Sequence, residues 1–427
     1  MEIRQVAVVG LGTMGAGIAE VFARAGLTVI AIEADPAALE RGLATLGASL
    51  DRAVSKRRLT EQRRAEITGR VTPGGSLGAA APADLVVEVV PERMEIKRAV
   101  FAALDEACRP DAILATNTSS LSVTAIAAGT RHPGRVAGMH FFNPAPVMRL
   151  VEVVSTEATE PGVTDVVAGL ARRLGKSPVQ VPDRAGFVAN ALLLPYLNHA
   201  VALLEAGLAG REDIDAALTA AAGLPMGPLA LLDLIGLDTA LSIMEVLGEA
   251  FGGTRYTPAP LLRRLVAAGQ LGRKSGRGIF DYAGGPGTGS QGVVLNEAVQ
   301  GTPATMPPGA VAGREALAAV TVAAAGAGLP GDAGQAAPDI LAAALLYPHI
   351  ADAARMVQDG YASAADVDTA MTLGCGYPRG PLQLADEAGP ARVAEALAAM
   401  HAASGDPAFA VPPLLSEHAA ARTGFRD

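Results

Sequence analysis

Cysteine is nearly missing from this chain. Of 427 residues only Cys108 and Cys375 carry thiols, and they lie far apart, which argues against a disulfide framework and fits a reducing cytoplasm. Long apolar runs are lacking too, since the longest fall well short of the ~20 residues that a membrane span needs. No leader pattern is expected, because Met1-Glu2-Ile3-Arg4 runs straight into a short apolar strand ending in glycine. Positive charge is in deficit, and a net charge of −9 argues against nucleic acid as a partner. Lysine is rarer still. Of 34 basic residues only Lys56, Lys97, Lys176 and Lys274 are lysines, so each carries more weight than usual.

What is present is apolar and glycine-rich. Half of the residues are hydrophobic, with 49 glycines and 29 prolines, and the length suggests two or three domains rather than one core. An apolar run at residues 6–9 leads at once into Gly10-Leu-Gly12-Thr13-Met14-Gly15. A helical pattern over residues 16–24, a second strand over Thr28–Ile32 and then Glu33 complete the order strand, glycine turn, helix, strand, acid. Gly10 permits the tight turn, Gly12 lets a pyrophosphate approach the backbone at the helix N-terminus, and Gly15 lets helix and strand pack closely. The pattern is that of a dinucleotide site. Glu33 would accept hydrogen bonds from the adenosine ribose and repel a 2′-phosphate, favouring NAD over NADP. Asp35 is its rival, but it precedes Pro36 and suits the N-cap of the next helix.

The helix from Pro36 leads to Ser49 and, seven residues on, to Lys56-Arg57-Arg58, a basic run that reads as a solvated face or as a binding patch. Residues 84–90 and 112–117 read as buried strands. Ligands in open α/β sheets sit beyond the carboxyl ends of strands, and Glu92, Lys97 and Ser119 fall near such ends.

Only six histidines occur, and His140 sits in an apolar, strand-like run with Glu152 twelve residues later in another. If residues 136–142 and 147–154 pair antiparallel around Pro144-Ala145-Pro146, His140 lies opposite Leu150 and Glu152 is its diagonal neighbour. A carboxylate on one imidazole nitrogen fixes the tautomer, leaves the other nitrogen as a base and stabilises the imidazolium. A pair that merely joins two strands is the plainer alternative. A nicotinamide site alongside tips the balance towards proton transfer.

Several stretches together resemble the NAD-dependent L-3-hydroxyacyl-CoA dehydrogenases, of the 3-hydroxybutyryl-CoA dehydrogenase type. They are the glycine turn, Asn117-Thr-Ser-Ser-Leu121, His140-Phe-Phe-Asn143-Pro144 with Leu150-Val-Glu152-Val, Arg184-Ala-Gly-Phe-Val-Ala-Asn190 and Gly272-Arg-Lys-Ser-Gly-Arg-Gly278. The resemblance covers nearly the whole chain. It implies that His140 is the general base, Glu152 its carboxylate partner, Ser119 a hydrogen-bond donor to the reacting oxygen, and Asn190 a group that places substrate and histidine. It also implies NAD contacts from Gly10, Gly12, Thr13, Met14, Gly15 and Glu33, and from Glu92, Lys97, Asn117, Ser119 and Asn143. Coenzyme A contacts would come from Ser49 and Lys56. The implied reaction belongs to fatty-acid β-oxidation or related acyl-CoA metabolism: His140 takes the 3-hydroxyl proton as the β-carbon hydride leaves. That chemistry requires no metal, and no ligand cluster for one is evident.

After Asp183 the pattern turns helical. Residues 193–236 recur as residues 346–389 without gaps; Pro195 matches Pro348, Gly207 matches Gly360, Asp215 matches Asp368, and Asp233 matches Asp386. This is an internal repeat of one helical unit. Residues 283–337 are rich in Gly, Ala and Pro and read as a linker, flexible at first and helical around 314–325. The expected architecture is an α/β Rossmann-type domain (1–184) followed by two all-α helical domains, at 185–282 and, past the linker, at 338–427. The second copy has lost chemistry, because Asn190 corresponds to Ala343. Single-copy members of the family it resembles dimerise through the helical domain. The second copy is therefore expected to pack on the first as an intramolecular pseudo-partner, a layout compatible with further homo-oligomers. No hydratase-like segment precedes Met1, so a whole multifunctional β-oxidation chain is not expected.

Overall fold

The computed structural model describes residues 1–282 and 336–426; nearly all of the linker expected at 283–337, with its helix around 314–325, lies outside the described residues. Two compact units divide the chain, Met1–Phe187 and the part from Val188 onward.

In the first unit strands and helices alternate: β1 (Gln5–Val9), α1 (Thr13–Arg24), β2 (Thr28–Ile32), α2 (Pro36–Ser55), α3 (Glu61–Thr68), β3 (Val71–Gly74) and β4 (Leu85–Glu88). Then follow α4 (Met94–Ala107), β5 (Ile113–Thr116), α5 (Val123–Ala127), β6 (Val136–Phe141), β7 (Leu150–Ser155), α6 (Pro161–Arg173) and β8 (Ser177–Pro182). The eight strands form one sheet in the order β3-β2-β1-β4-β5-β6-β7-β8, parallel except for the β6–β7 pair. β4 is buried at every residue, as a parallel strand covered by helices on both faces must be. Asp35 accepts from Ala37 N and caps α2, with Pro36 next, the capping role expected of it. The chain winds outward from β1 to β3 and restarts at β4 beside β1. The order therefore reverses between β1 and β4, which is where such sheets open a crevice.

The antiparallel hairpin departs from the expected register. His140 pairs directly with Glu152, and Phe141 with Val151, where Leu150 was expected opposite the histidine. The turn is the cause: Pro144 O accepts from both Val147 N and Met148 N, so the loop runs on to Arg149, and β7 begins at Leu150 rather than at 147. Lys176, which is 8% exposed, pins this loop by donating to Ala145 O and Met148 O, both at 2.6 Å.

The second unit is helical. Its first copy holds α7 (Ala189–Glu205), α8 (Arg211–Ala222), α9 (Pro228–Ile235), α10 (Leu237–Phe251) and α11 (Pro260–Ala267). Its second holds α12 (Ala336–Gln358), α13 (Ala364–Cys375), α14 (Pro381–Ala388), α15 (Pro390–Ser404) and α16 (Pro413–Ala421). The repeat thus continues past the expected end at Gly236 through two further helices. The turn glycines Gly252 and Gly405 keep matching φ values of 64° and 65°, although little other identity survives there. Asp215 and Asp368 do the same work in both copies, accepting from Leu229 and Ala230 N–H in one and from Leu382 and Gln383 N–H in the other. Between the copies, the repeat-equivalent rings of Tyr196 and His349 lie 5.0 Å apart, and Arg255 Nε donates to Asp352 at 2.7 Å. Within α12, Pro338–Gln358 is long and apolar enough by length and composition to cross a membrane, with a mean hydropathy of 1.3. That stretch departs from the expectation drawn from the longest apolar runs. It is two-thirds buried and packs against α7 and α8 of the other copy.

Burial lowers the Lys176 ammonium from 10.5 to about 8, so the folded chain carries the full desolvation penalty below pH 8. Between about pH 8 and 10.5 the folded lysine is neutral while the unfolded one still holds its proton, so that penalty is relieved as pH rises. Denaturant unfolding should show wild type gaining on the order of 1–3 kcal/mol relative to Lys176→Met across that window. Parallel pH curves for the two proteins would rule the buried charge out.

Candidate active site

The glycine turn lies at the switch point, on the carboxyl edge of the sheet. Gly10 has φ +92°, a left-handed conformation open to glycine, and a Cβ there would sit 2.7 Å from Val89 O. A Cβ on Gly15 would fall 1.8 Å from Gly10 O, whereas one on Gly12 meets nothing within 4 Å. Gly12 therefore opens onto a cavity of about 580 Å³, lined also by Thr13, Met14, Glu33 and Pro91. Glu33 closes the rim: its carboxylate accepts from Leu11 N at 3.1 Å and from Ala34 N at 2.9 Å. Glycines that admit a close backbone approach, a helix N-terminus and an acid at the end of β2 fit a dinucleotide.

Beyond β4 and β5 a polar crest follows. Glu92 Oε1 accepts from Thr118 Oγ1 at 2.6 Å, Ser119 N at 2.8 Å and Ser119 Oγ at 3.2 Å. Burial alone would raise the Glu92 carboxyl, but the Lys97 charge and these hydrogen bonds outweigh it and hold the group below its ordinary range. Lys97 is 1% exposed, with its ammonium 2.8 Å from Glu88 and 3.2 Å from Glu92. Asn117 Oδ1 accepts from Phe141 N at 2.7 Å and so ties the end of β5 to the strand that carries the histidine.

On that strand His140 is 6% exposed and Glu152 fully buried, with His140 Nδ1 2.7 Å from Glu152 Oε2. Phe142 and Phe187 flank the imidazole at ring distances of 4.5 and 5.8 Å. Asn143 follows on the exposed loop.

The remaining sequence candidates fall elsewhere. Ser49 is half-buried on α2, and Lys56 is the residue that ends that helix rather than a member of it. Beside it Arg57, Arg58 and Arg63 line a groove of about 520 Å³. Asn190 is the second residue of α7, in the other unit. Sequence reading missed Glu88, Thr116 and Thr118, whose side chains hold the crest. A carboxylate inside the all-apolar run of β4 was the available signal.

A sheet of this order, with a glycine turn and a titratable pair on its carboxyl edge, is the layout of a nicotinamide-dependent oxidoreductase. Comparison with known families makes the class specific. The NAD-binding domain of 3-hydroxyacyl-CoA dehydrogenase matches residues 5–184, and the C-terminal domain of that enzyme matches residues 186–282 and again 341–424. The chain belongs to the NAD-dependent 3-hydroxyacyl-CoA dehydrogenase family. It is 48% identical to the probable 3-hydroxybutyryl-CoA dehydrogenase of Bacillus subtilis (strain 168), over 66% of this chain and 98% of that one. It is 36% identical to the 3-hydroxyadipyl-CoA dehydrogenase of Escherichia coli (strain K12), over 100% of this chain and 99% of that one. The crystal structure of 3-hydroxybutyryl-CoA dehydrogenase from Escherichia coli K12 substr. MG1655 is similar over 99% of both chains, with a TM-score of 0.84 and 32% identity.

The two glycines should separate binding from folding. Gly12→Ala should keep wild-type thermal stability and, if the cavity takes the dinucleotide, weaken NADH binding roughly tenfold or more, since its methyl would enter that cavity. Gly15→Ala should lower the unfolding temperature itself, because its methyl meets Gly10 O. NADH titration and thermal melts of both variants check this; wild-type NADH affinity in Gly12→Ala would place the dinucleotide elsewhere.

Proposed function

We propose that this protein interconverts (S)-3-hydroxyacyl-CoA and 3-ketoacyl-CoA with His140 as general acid–base and Glu152 as its carboxylate partner. The 2.7 Å contact between His140 Nδ1 and Glu152 Oε2 carries the reading. With Nδ1 engaged, Nε2 is the nitrogen that exchanges a proton with the 3-oxygen, and the carboxylate stabilises the imidazolium that results. When bound, NAD supplies the hydride acceptor and, once reduced, the donor. Ser119, whose hydroxyl donates to Glu92 at 3.2 Å without substrate, turns that one hydrogen to the reacting oxygen, and a donor of this kind contributes ~10²–10³-fold. Asn190 places the substrate, Glu33 takes the adenosine ribose, and Ser49 and Lys56, with the arginine-lined groove beside them, meet coenzyme A. Cysteine is scarce, with only Cys108 and Cys375 in the chain, which supports a cytoplasmic setting.

His140→Gln should lower kcat by roughly 10²–10⁴-fold with NADH binding little changed, and Glu152→Gln should also be severe. Steady-state rates with acetoacetyl-CoA decide it. Near-wild-type turnover in a Glu152→Gln protein that had lost thermal stability would make the pair a structural one.

The second helical copy packs on the first as an intramolecular pseudo-partner, in the place where the family resemblance implies a second subunit for single-copy members. The facing of equivalent positions Tyr196 and His349 supports this, since equivalent residues meet only near a two-fold axis. Deleting everything after Ala283 should expose an apolar face and drive dimerisation with part of the activity retained, or aggregation. Light scattering and activity of the truncated chain check it. A monomeric, soluble and fully active product would refute the pseudo-dimer.

A further inference from the structure

Glu88 ends β4 at the switch point with its side chain fully buried. Its Oε1 accepts from Lys97 Nζ at 2.8 Å and from Val90 N at 2.7 Å, and its Oε2 accepts from Thr116 Oγ1 at 2.7 Å. Lys97 has three donors, and three acceptors surround its ammonium: Glu88, Val90 O at 3.3 Å, and Glu92 Oε2 at 3.2 Å. Glu92 then presents Oε1 to Thr118 and Ser119. From the other side Thr116 Oγ1 accepts from Thr118 N at 3.2 Å. Two routes thus lead from one carboxylate to the same loop, and together they close a ring. Taking the Glu88 carboxylate and the Lys97 ammonium out of water is unfavourable before pairing, and apolar residues of the same volume pack at lower desolvation cost; Glu92, with 38% of its side chain exposed, stays partly solvated. Apolar residues have no directional bonds, whereas this ring leaves Glu92 and the backbone of Thr118 and Ser119 one arrangement.

We propose that Glu88 is a positioning residue for the reaction, holding the Ser119 loop through Lys97 and Glu92 on one side and through Thr116 on the other. The proposal rests on the role given to Ser119 above.

The test is a cycle of Glu88→Gln, Ser119→Ala and the double variant. It reads kcat and KM with acetoacetyl-CoA, the NADH dissociation constant by fluorescence, and the melting temperature. Glu88→Gln should lower kcat by about 10–100-fold, within what a misplaced donor costs, while the KM for acetoacetyl-CoA stays within about threefold and NADH binding, which Glu92, Lys97 and Ser119 share, weakens by less than kcat falls. Added to Ser119→Ala it should cost less than about threefold more, because the group it positions is already gone. Losses that multiply, a kcat near wild type, or a defect confined to NADH binding would overturn the proposal. If Glu88→Gln does not fold, Thr116→Val enters the same cycle, with an expected loss of about 3–10-fold and the same non-additivity. An unimpaired Ser119→Ala would remove Ser119 from the reaction and this proposal with it. Multiplying losses beside an impaired Ser119→Ala would sink the proposal for Glu88 alone.

Discussion

A buried carboxylate beside a buried imidazole is tolerable only where each satisfies the other, and here a single register of two strands brings that about. Shifting β6 against β7 by one residue would turn every side chain of the shifted strand to the opposite face, separating His140 from Glu152. Much of the surrounding structure serves to hold that register. Asn117 bonds the backbone just after the histidine, the Pro144 carbonyl gathers the turn, and Lys176, just before β8, grips the loop. Lysine does this at the expense of its own solvation, since burial lowers its ammonium below the ordinary range, because the loop carbonyls have to be met by some donor.

The carboxyl edge of the sheet concentrates the unfavourable elements of the first unit. Left-handed backbone at Gly10, a contact at Gly15 that admits no side chain, and the buried Glu88–Lys97 ion pair all gather at the ends of β1 and β4. Strain and buried charge gather at sites where geometry matters more than stability. Away from that edge the core is aliphatic, with Phe22 and Phe141 meeting edge to face at 6.1 Å.

The helical unit follows a different economy of structure. The same caps and turns are used twice: an aspartate across each α8–α9 or α13–α14 junction, and left-handed glycines at equivalent bends. Asp233 and Asp386 show where the copies diverge. Asp233 accepts from Ile279 N, Phe280 N and Tyr282 Oη, whereas Asp386 accepts from Phe425 N in a shorter tail. The copies share packing geometry, while Ala343 stands where the first has Asn190.

The glycine turn, the strand and helix order of the first unit, the cap at Asp35 and the repeat were legible from sequence, because each depends on local chemistry: φ preference, capping, periodicity. The suspicion attached to His140 and Glu152 was legible for a similar reason, since polar groups stand out in apolar runs. Their facing register was not, because it was set by hydrogen bonds to Pro144 O, and pattern alone cannot count the residues of an irregular loop. The repeat read from identity stopped at Gly236, while the backbone kept copying itself through turn glycines and helix-starting prolines after the rest had drifted. Glu88, Thr116 and Lys176 gained their roles only from tertiary structure. Hydrogen bonds between residues 28 apart, as for Thr116 and Glu88, depend on which strands lie side by side, and the chain decides that only when the sheet closes.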